Sequence, residues 1–225
     1  MPERELPTTA YILLSLLAQR DHSAYELAEQ GGRGVQKLWP RADRQRYNTP
    51  KRLERDGLVT ATTQAVGRRH RTVYSITPAG RAALREWLST EVRPAVLEFD
   101  GMLRVLAMTD GSIDDLRRTL ETIRAQAQAD RAGFAVQGTR LAEPGGEFAD
   151  RRHAFALANT FMIGHYDHLV AWATRAIEVV DSWPDTTSPA FDNEAQIRDL
   201  LRPALEATEA LRAREDASPS TPGQR

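Results

Sequence analysis

The chain has 225 residues, 41% of them hydrophobic and 27% charged, a composition that predicts a globular protein of one or two domains. It contains no cysteine, which excludes disulfide bonds and thiolate metal sites and agrees with a reducing, cytoplasmic location. The net charge of −1 is unevenly distributed, because residues 1–90 carry 15 basic and 9 acidic side chains and the remainder carries 15 and 22. This asymmetry favours an N-terminal part that binds a polyanion, although uneven surface charge without a function is the alternative.

The first predicted helix begins near residues 7–9, and its apolar side chains between Ile12 and Leu17 recur at helical spacing. The apolar stretch Ala10–Ala18 is far shorter than a membrane span, and the N-terminus lacks the pattern of a signal peptide. We therefore expect neither feature. A second, short helix is predicted to begin at Ser23, because Ser23 and Glu26 have the spacing of a capping box.

A third helix is predicted from Asp43 to the Asp56-Gly57 pair, where glycine can adopt the left-handed conformation of a C-cap. Pro50 lies inside this segment, and a proline within a helix costs about 3 kcal/mol or more. The helix therefore either bends near Arg46 or restarts with Thr49 as its cap and Pro50 as its first residue. The sequence leaves both alternatives open.

A β-hairpin is predicted after the third helix. Leu58–Thr63 is rich in β-branched residues and predicts a strand, Val66–His70 is a strongly basic turn, and Thr72–Ile76 predicts the returning strand. Thr77-Pro78 then supplies a capping residue and a first-turn proline, so a fourth helix is predicted to begin there. Trp87 belongs to the apolar face of that helix.

The order of helix, helix, helix, strand, basic turn and strand is that of a winged helix-turn-helix. Its third helix must be polar on one face to enter the major groove, and Leu53 is assigned to the opposite, inward face. Arginine and lysine can meet phosphates, while arginine, glutamine and asparagine can pair with base edges. A basic helix or turn alone is usually solvated surface, but their occurrence together in this order favours DNA binding. The predicted DNA-binding residues are Arg41, Arg44, Gln45, Arg46, Tyr47, Asn48, Lys51, Arg52, Arg68, Arg69, His70 and Arg71.

Beyond residue 94 the pattern is almost wholly helical. The segment Phe148–Trp183 is apolar on more than one face, which favours a dimer interface; an intramolecular bundle in a monomer is the alternative. The fold class is thus mainly α with a small β-hairpin. The predicted domains are a winged helix-turn-helix at residues 1–93, a helical dimerisation and candidate effector domain at 94–215, and a disordered tail at 216–225. The predicted helical segments are Pro94–Met108, Ser112 to about Val136, Phe148–Trp183 and Glu194–Arg212, with a loop at Gly138–Glu147, a linker at Pro184–Asp192 and a kink at Pro203.

Residues 8–90 resemble the PadR family of bacterial transcriptional regulators, which is related to the MarR group. The matching stretches are Tyr11–Leu17, Ser23–Leu27, Gln45–Val59 and Arg71–Arg81. The chain departs mildly from the family at Ala24-Tyr25, where a glycine usually neighbours the tyrosine. The resemblance implies that the C-terminal helices form a dimer and that a phenolic or drug-like compound releases the DNA. With the residue pattern, it predicts a repressor that binds a palindromic operator as a homodimer.

A small aromatic effector is the second predicted partner, because aromatic side chains with a few polar neighbours are typical of ligand sites. Aromatic residues at helical spacing are also typical of a core, and that alternative stays open. The candidate ligand-binding residues are Tyr11, Trp39, Phe99, Phe161, His165 and Trp172.

Enzyme and metal functions receive little support from the sequence. It lacks a glycine-rich phosphate loop, a Gly-x-Ser-x-Gly elbow and a His-Glu-x-x-His motif, so no enzyme is predicted. His165 and His168 share a helix face that Asp167 does not join, so no metal or other cofactor is predicted. The competing hypotheses are a helical protein-interaction module, or a helical protein that binds a ligand or metal, without DNA binding in either case.

Overall fold

The computed structural model describes residues 6–30, 35–38, 48–66, 69–145 and 149–217. The chain divides into two compact units, residues 1–95 and 96–225. Helices dominate both units and a small sheet lies in the first, which confirms the predicted fold class. In the described ranges, no helix is both long enough and apolar enough to cross a membrane.

The first unit contains a helical core and a three-stranded antiparallel sheet of order β1-β3-β2. The hairpin of β2 and β3 runs in register from Val59 opposite Ile76 to Val66 opposite Arg69. It is longer than predicted, and Arg69 and His70 lie in β3 instead of in the turn. The elements of this unit are α1 (Thr8–Leu17), β1 (His22–Ser23), α2 (Ala24–Gln30), α3 (Val35–Leu38), α4 (Thr49–Arg55), β2 (Val59–Val66), β3 (Arg69–Ile76) and α5 (Pro78–Ser89).

The core of the first unit forms where α1, α2, α4 and the sheet meet. The predicted apolar face of α1 is buried, and Leu53 of α4 is fully buried against it, as predicted for the inward face of that helix. The outward side of α4 is thereby left to polar residues. The buried residues of this core are Ala10, Leu13, Leu14, Leu16, Leu17, Leu27, Leu53, Val59 and Tyr74.

Local capping fixes where the helices begin. Ser23 and Glu26 form the predicted capping box, with the Ser23 amide donating to Glu26 Oε2 at 2.7 Å and the Glu26 amide donating to Ser23 Oγ at 3.2 Å. The Thr77 side chain accepts a hydrogen bond from the Gly80 amide at 3.1 Å, which confirms the predicted start of α5.

Helix α4 begins at Thr49 with Pro50 in its first turn, as in the restart interpretation, although Asn48 is the residue before the helix. The helix ends in a Schellman motif, because the Leu58 amide donates to the Leu53 carbonyl and the Gly57 amide donates to that of Glu54. Gly57 has φ = 73°, the left-handed conformation predicted for it.

The second unit differs from its predicted boundaries in several places. Pro94–Met108 is α-helical only at Asp100–Leu106, and residues 94–98 have no regular secondary structure and are exposed. The predicted linker contains a short helix, and the last helix includes Asp216 and Ala217, which were assigned to the tail; residues 218–225 lie outside the described part of the chain. The elements are α6 (Asp100–Leu106), α7 (Ile113–Ala142), α8 (Arg152–Val180), α9 (Pro189–Asp192) and α10 (Glu194–Ala217), with 3-10 turns at Met108–Asp110 and Ala149–Arg151.

An antiparallel pair, α7 and α8, is the framework of the second unit. Leu120 and Ile177 belong to one buried cluster between the two helices, and Ala127 and Tyr166 belong to another. Helix α7 continues through Gly138, where a loop was predicted. A Cβ atom at that residue would lie 2.9 Å from Oδ1 of Asn159. The glycine therefore allows α8 to approach α7 closely, and it does not end the helix. Ion pairs of Arg117 with Asp181 and of Arg131 with Asp167 also link α7 to α8.

Candidate nucleic-acid interface

The outward face of α4 is a polar and basic stripe. Asn48, Lys51 and Arg55 are exposed, and Arg52 is half-buried between them. These positions are separated by three or four residues, so they lie along one side of the helix, opposite the buried Leu53. Together with Thr49 they line a concavity of about 310 Å³ on the surface.

Positive charge predominates on this face. Nε of Arg52 and Nε of Arg55 lie 3.6 Å and 3.9 Å from the carboxylate oxygens of Asp56. Two arginines therefore share one acidic partner. Lys51 adds a third positive charge. Solvent-exposed ion pairs contribute little energy, about 0–1 kcal/mol, so exchanging Asp56 for a phosphate group would cost these arginines little.

The β2–β3 hairpin carries two of the predicted basic residues on its exposed surface. Arg71 lies opposite Gln64, and its Nη2 donates to Gln64 Oε1 at 3.2 Å across the two strands. His70 is exposed one residue nearer the tip. The described part of the wing therefore presents Arg71 in a defined position, because its guanidinium is held by the neutral side chain of Gln64, which leaves the charge available.

The remaining predicted contacts lie wholly or partly outside the described residues. The backbone of Arg69 belongs to β3, but its side chain is not among the described ones. The assignment of all these residues to DNA binding stays a prediction. The predicted residues outside the described part of the chain are Arg41, Arg44, Gln45, Arg46, Tyr47 and Arg68.

Two residues of this unit were absent from the predicted set. Arg55 lines the same concavity as Lys51, and its spacing of four residues from Lys51 could have found it. Tyr25 is 75% exposed at the start of α2, the first helix of the helix-turn-helix pair, which crosses the DNA backbone in such motifs. Its position two residues after the capping residue Ser23 was the available signal.

A cavity of about 790 Å³ lies in the first unit behind α4. The rings of Tyr11 and Trp87 stack there in parallel, with centroids 4.8 Å apart. Arg52 and Arg55 belong both to this cavity and to the concavity on the outward face of α4. Trp87 was predicted only as an apolar residue of its helix. The apolar lining is completed by Leu6, Leu58, Ala83, Leu88 and Val92.

The other candidate ligand residues occupy separate places. Phe161 is 64% exposed and stacks on His165, with ring centroids 6.4 Å apart. Trp172, about three turns further along α8, packs against the buried cluster that contains Leu120. Phe99 precedes α6, and Trp39 lies outside the described residues. Tyr11 is thus the one described candidate that lines the cavity behind α4. Within the described ranges, no three histidine, aspartate or glutamate residues are grouped so that they could hold a metal ion.

Comparison with known families agrees with this arrangement. Residues 13–86 match the Transcriptional regulator PadR-like family. The first unit therefore carries a PadR-like domain. The "Probable transcriptional regulator Rv1176c" of Mycobacterium tuberculosis is 34% identical over 131 residues, which are 58% of this chain and 65% of that protein. The chain therefore spans slightly less than two thirds of the length of this curated relative.

Solved structures share the fold of this chain. Bacillus subtilis PadR in complex with operator DNA aligns with a TM-score of 0.66 and 18% identity, over 77% of this chain and 99% of that one. Bacillus subtilis PadR in complex with p-coumaric acid aligns with a TM-score of 0.62 and 18% identity, over 78% of this chain and 100% of that one. At this level of identity the likeness concerns the fold.

Proposed function

We propose that this PadR-like protein is a DNA-binding transcriptional repressor that occupies a palindromic operator as a homodimer. The observation that carries the proposal is the basic outward face of α4, where Lys51, Arg52 and Arg55 lie along one side of the helix. A single helix fits the major groove, and arginine and lysine supply the phosphate contacts that dominate affinity for DNA. Asn48, at the N-terminal end of the same stripe, can pair with a base edge.

The wing supports a second contact to the same duplex. Arg71 projects from β3 with its charge unopposed by its partner Gln64, and His70 is exposed beside it. In a winged helix-turn-helix the hairpin lies along the neighbouring backbone or minor groove while the helix occupies the major groove. The predicted residues Arg41, Arg44, Gln45, Arg46, Tyr47, Arg68 and Arg69 belong to the same proposal.

A homodimer is proposed because one winged unit contacts one half-site, and a two-fold axis doubles the contacts. The second unit offers exposed apolar surface for pairing. Leu157 and Phe161 are exposed on α8, and Leu201 and Leu205 are exposed on α10, although such side chains are usually buried. Sedimentation velocity of the L201E/L205E variant tests this surface. We expect a monomer, whereas a dimer that persists unchanged would contradict the proposed interface.

A small aromatic compound is the proposed effector, and the cavity behind α4 is its proposed site. Tyr11 and Trp87 already form a parallel stack there, and a planar compound could extend it. Because Arg52 and Arg55 line both this cavity and the outward face of α4, an occupant would act directly on the proposed DNA contacts. The p-coumaric acid complex of the structural neighbour Bacillus subtilis PadR supports the compound class.

Charge reversal tests DNA binding. K51E and R71E should each weaken binding of a fragment from the upstream region of the protein's own gene at least tenfold, since each replaces an attraction to phosphate by a repulsion. R85E is the matched control, because Arg85 is an exposed arginine of α5 in the same unit. Unchanged binding by K51E and R71E, with dimerisation intact, would favour a protein-interaction module instead.

A further inference from the structure

One buried histidine of the winged-helix unit stands apart from the proposed DNA contacts. His22 is 2% exposed, although it lies on the short strand β1 next to the capping residue of α2. Its ring donates a hydrogen bond to the backbone carbonyl of Leu16 at the end of α1. Nδ1 has no hydrogen-bond partner among the described residues, so the donor is Nε2 and the ring is neutral.

Protonation of this ring is unfavourable in the folded protein. A proton on Nδ1 would place a charged N–H in the core without an acceptor, and a buried donor without a partner is costly. Burial, reinforced by the nearby Arg20 guanidinium, lowers the pKa of His22 below its ordinary value of 6.5, and this outweighs the opposite effects of Glu26 and Asp21. The folded state therefore binds this proton less readily than the unfolded state does.

The other elements packed around His22 supply no compensating charge. From β3, the residue in register with it is Tyr74, whose phenol stays neutral because burial, and then Glu54 of α4, raise the pKa of Tyr74. From α1, the Leu16 carbonyl accepts the hydrogen bond of the ring. The guanidinium of Arg81 is also near the end of α1, where its Nη1 donates to the Ala18 carbonyl at 3.1 Å.

The position of His22 connects its protonation to the DNA-binding elements. Among the described strands, β1 pairs only with β3, through His22 opposite Tyr74 and Ser23 opposite Val73. Strand β3 carries the wing residues His70 and Arg71, and Ser23 caps α2. Loss of the two-residue pairing would free both the inner edge of the wing and the start of the helix-turn-helix.

We propose that His22 is an acid-sensitive latch, whose protonation releases β1 from β3 and thereby lowers operator affinity. Stability is complete above pH 6.5 and is lost as the pH falls toward the folded-state pKa, because the unfolded state binds more protons in that window. One differing proton changes the folding equilibrium constant by at most about tenfold per pH unit. The effect on affinity rests on the proposed function, whereas the effect on stability does not.

Urea unfolding of the full chain at about pH 7.5 and about pH 5.5 tests the latch. H22Q keeps an amide that can donate to the Leu16 carbonyl but does not titrate. The ratio of the wild-type folding constant to that of H22Q should fall by up to about tenfold as the pH drops by one unit below 6.5. H70Q, the change of the exposed wing histidine, should leave the wild-type dependence intact. An H22Q profile parallel to that of the wild type would overturn the proposal.

Two further measurements keep the outcome decisive. If H22Q does not fold, the carbon-13 titration of the assigned His22 ring in the wild-type protein replaces it, and a midpoint at or above 6.5 overturns the latch. Both H70Q and the H22Q/H70Q double variant lack the wing histidine, so they differ only at position 22. Acid should weaken the operator affinity of H70Q more than that of the double variant. A protein that binds no DNA at any pH contradicts the proposed function, while the unfolding experiment still decides the role of His22.

Discussion

Gly80 lies directly against the backbone of Leu58, and a Cβ atom at Gly80 would come within 2.1 Å of the Leu58 carbonyl oxygen. The same carbonyl accepts a hydrogen bond from the Thr77 amide at 3.1 Å, and the Thr77 hydroxyl donates to the Gly57 carbonyl at 2.8 Å. The end of α4 and the first turn of α5 are therefore joined through the backbone and through the Thr77 side chain. This junction holds the C-terminal end of the proposed DNA-binding helix.

We expect G80A to destabilise the protein by about 1–3 kcal/mol, because a backbone oxygen cannot move aside as the end of a flexible side chain can. The measurement is the urea unfolding midpoint. G133A is the matched control, since Gly133 lies inside α7 with no atom within 4 Å of a Cβ at that position. That change should stabilise the helix by up to about 1 kcal/mol. Equal midpoints for G80A and the wild type would show that the junction is not tight.

Signals within one turn of the chain were enough to predict the helix starts. Ser23 with Glu26, and Thr77 with Pro78, carry their own capping partners, so the structure confirms both. Strand β1 could not be predicted, because its two residues become a strand only through pairing with Tyr74 and Val73. That contact joins residues about fifty positions apart and leaves no periodic pattern in the sequence.

The DNA-binding residues were predicted from residue type. Residue type indicates exposed charge, but it does not indicate a cavity between helices. Lys51 and Arg52 were predicted from their charge, whereas the cavity lined by Tyr11 and Trp87 depends on how two helices pack. In the second unit, Gly138 by itself predicts a loop. The structure uses it inside α7 to admit Asn159, whose Nδ2 donates to the Phe134 carbonyl at 2.8 Å.

Lys51 and Asn48 should affect DNA binding in different ways. We expect K51Q to weaken binding about equally for all sequences and to reduce the slope of log affinity against log salt by about 0.9, because it removes one phosphate contact. N48A should leave the slope unchanged and reduce discrimination at one base pair by about 1–3 kcal/mol. Fluorescence anisotropy with operator and mismatched duplexes across a salt series measures both effects.

The R85Q variant is the control for this comparison, since Arg85 is exposed on α5 and carries the same charge as Lys51. Its salt slope should equal that of the wild type. A slope that K51Q leaves unchanged would remove Lys51 from the set of phosphate contacts. A uniform loss of affinity in N48A would assign Asn48 to the backbone instead of to a base.

An aromatic effector in the cavity behind α4 should change the emission of Trp87. We expect p-coumaric acid, used as a probe of the compound class, to quench tryptophan fluorescence in the wild type and in W172F but much less in W87F. Trp172 packs against a buried cluster of the second unit and is the matched control. Quenching in W87F equal to that in the wild type would place the compound elsewhere.

Tyr166 should make the second unit sensitive to alkali. Burial, and then Asp130, which accepts its hydrogen bond, raise the pKa of Tyr166 to about 12, above its ordinary value of 10.0. Since the unfolded chain releases this proton first, stability is complete below pH 10 and falls as the pH rises toward 12, by about 3 kcal/mol at most.

Urea unfolding at rising pH should show this loss in the wild type and a smaller one in Y166F. Y25F is the control, because Tyr25 is an exposed tyrosine of the first unit, and it should keep the wild-type loss. A Y166F profile as steep as that of the wild type would mean that the phenol of Tyr166 ionises as easily in the folded chain as in the unfolded one.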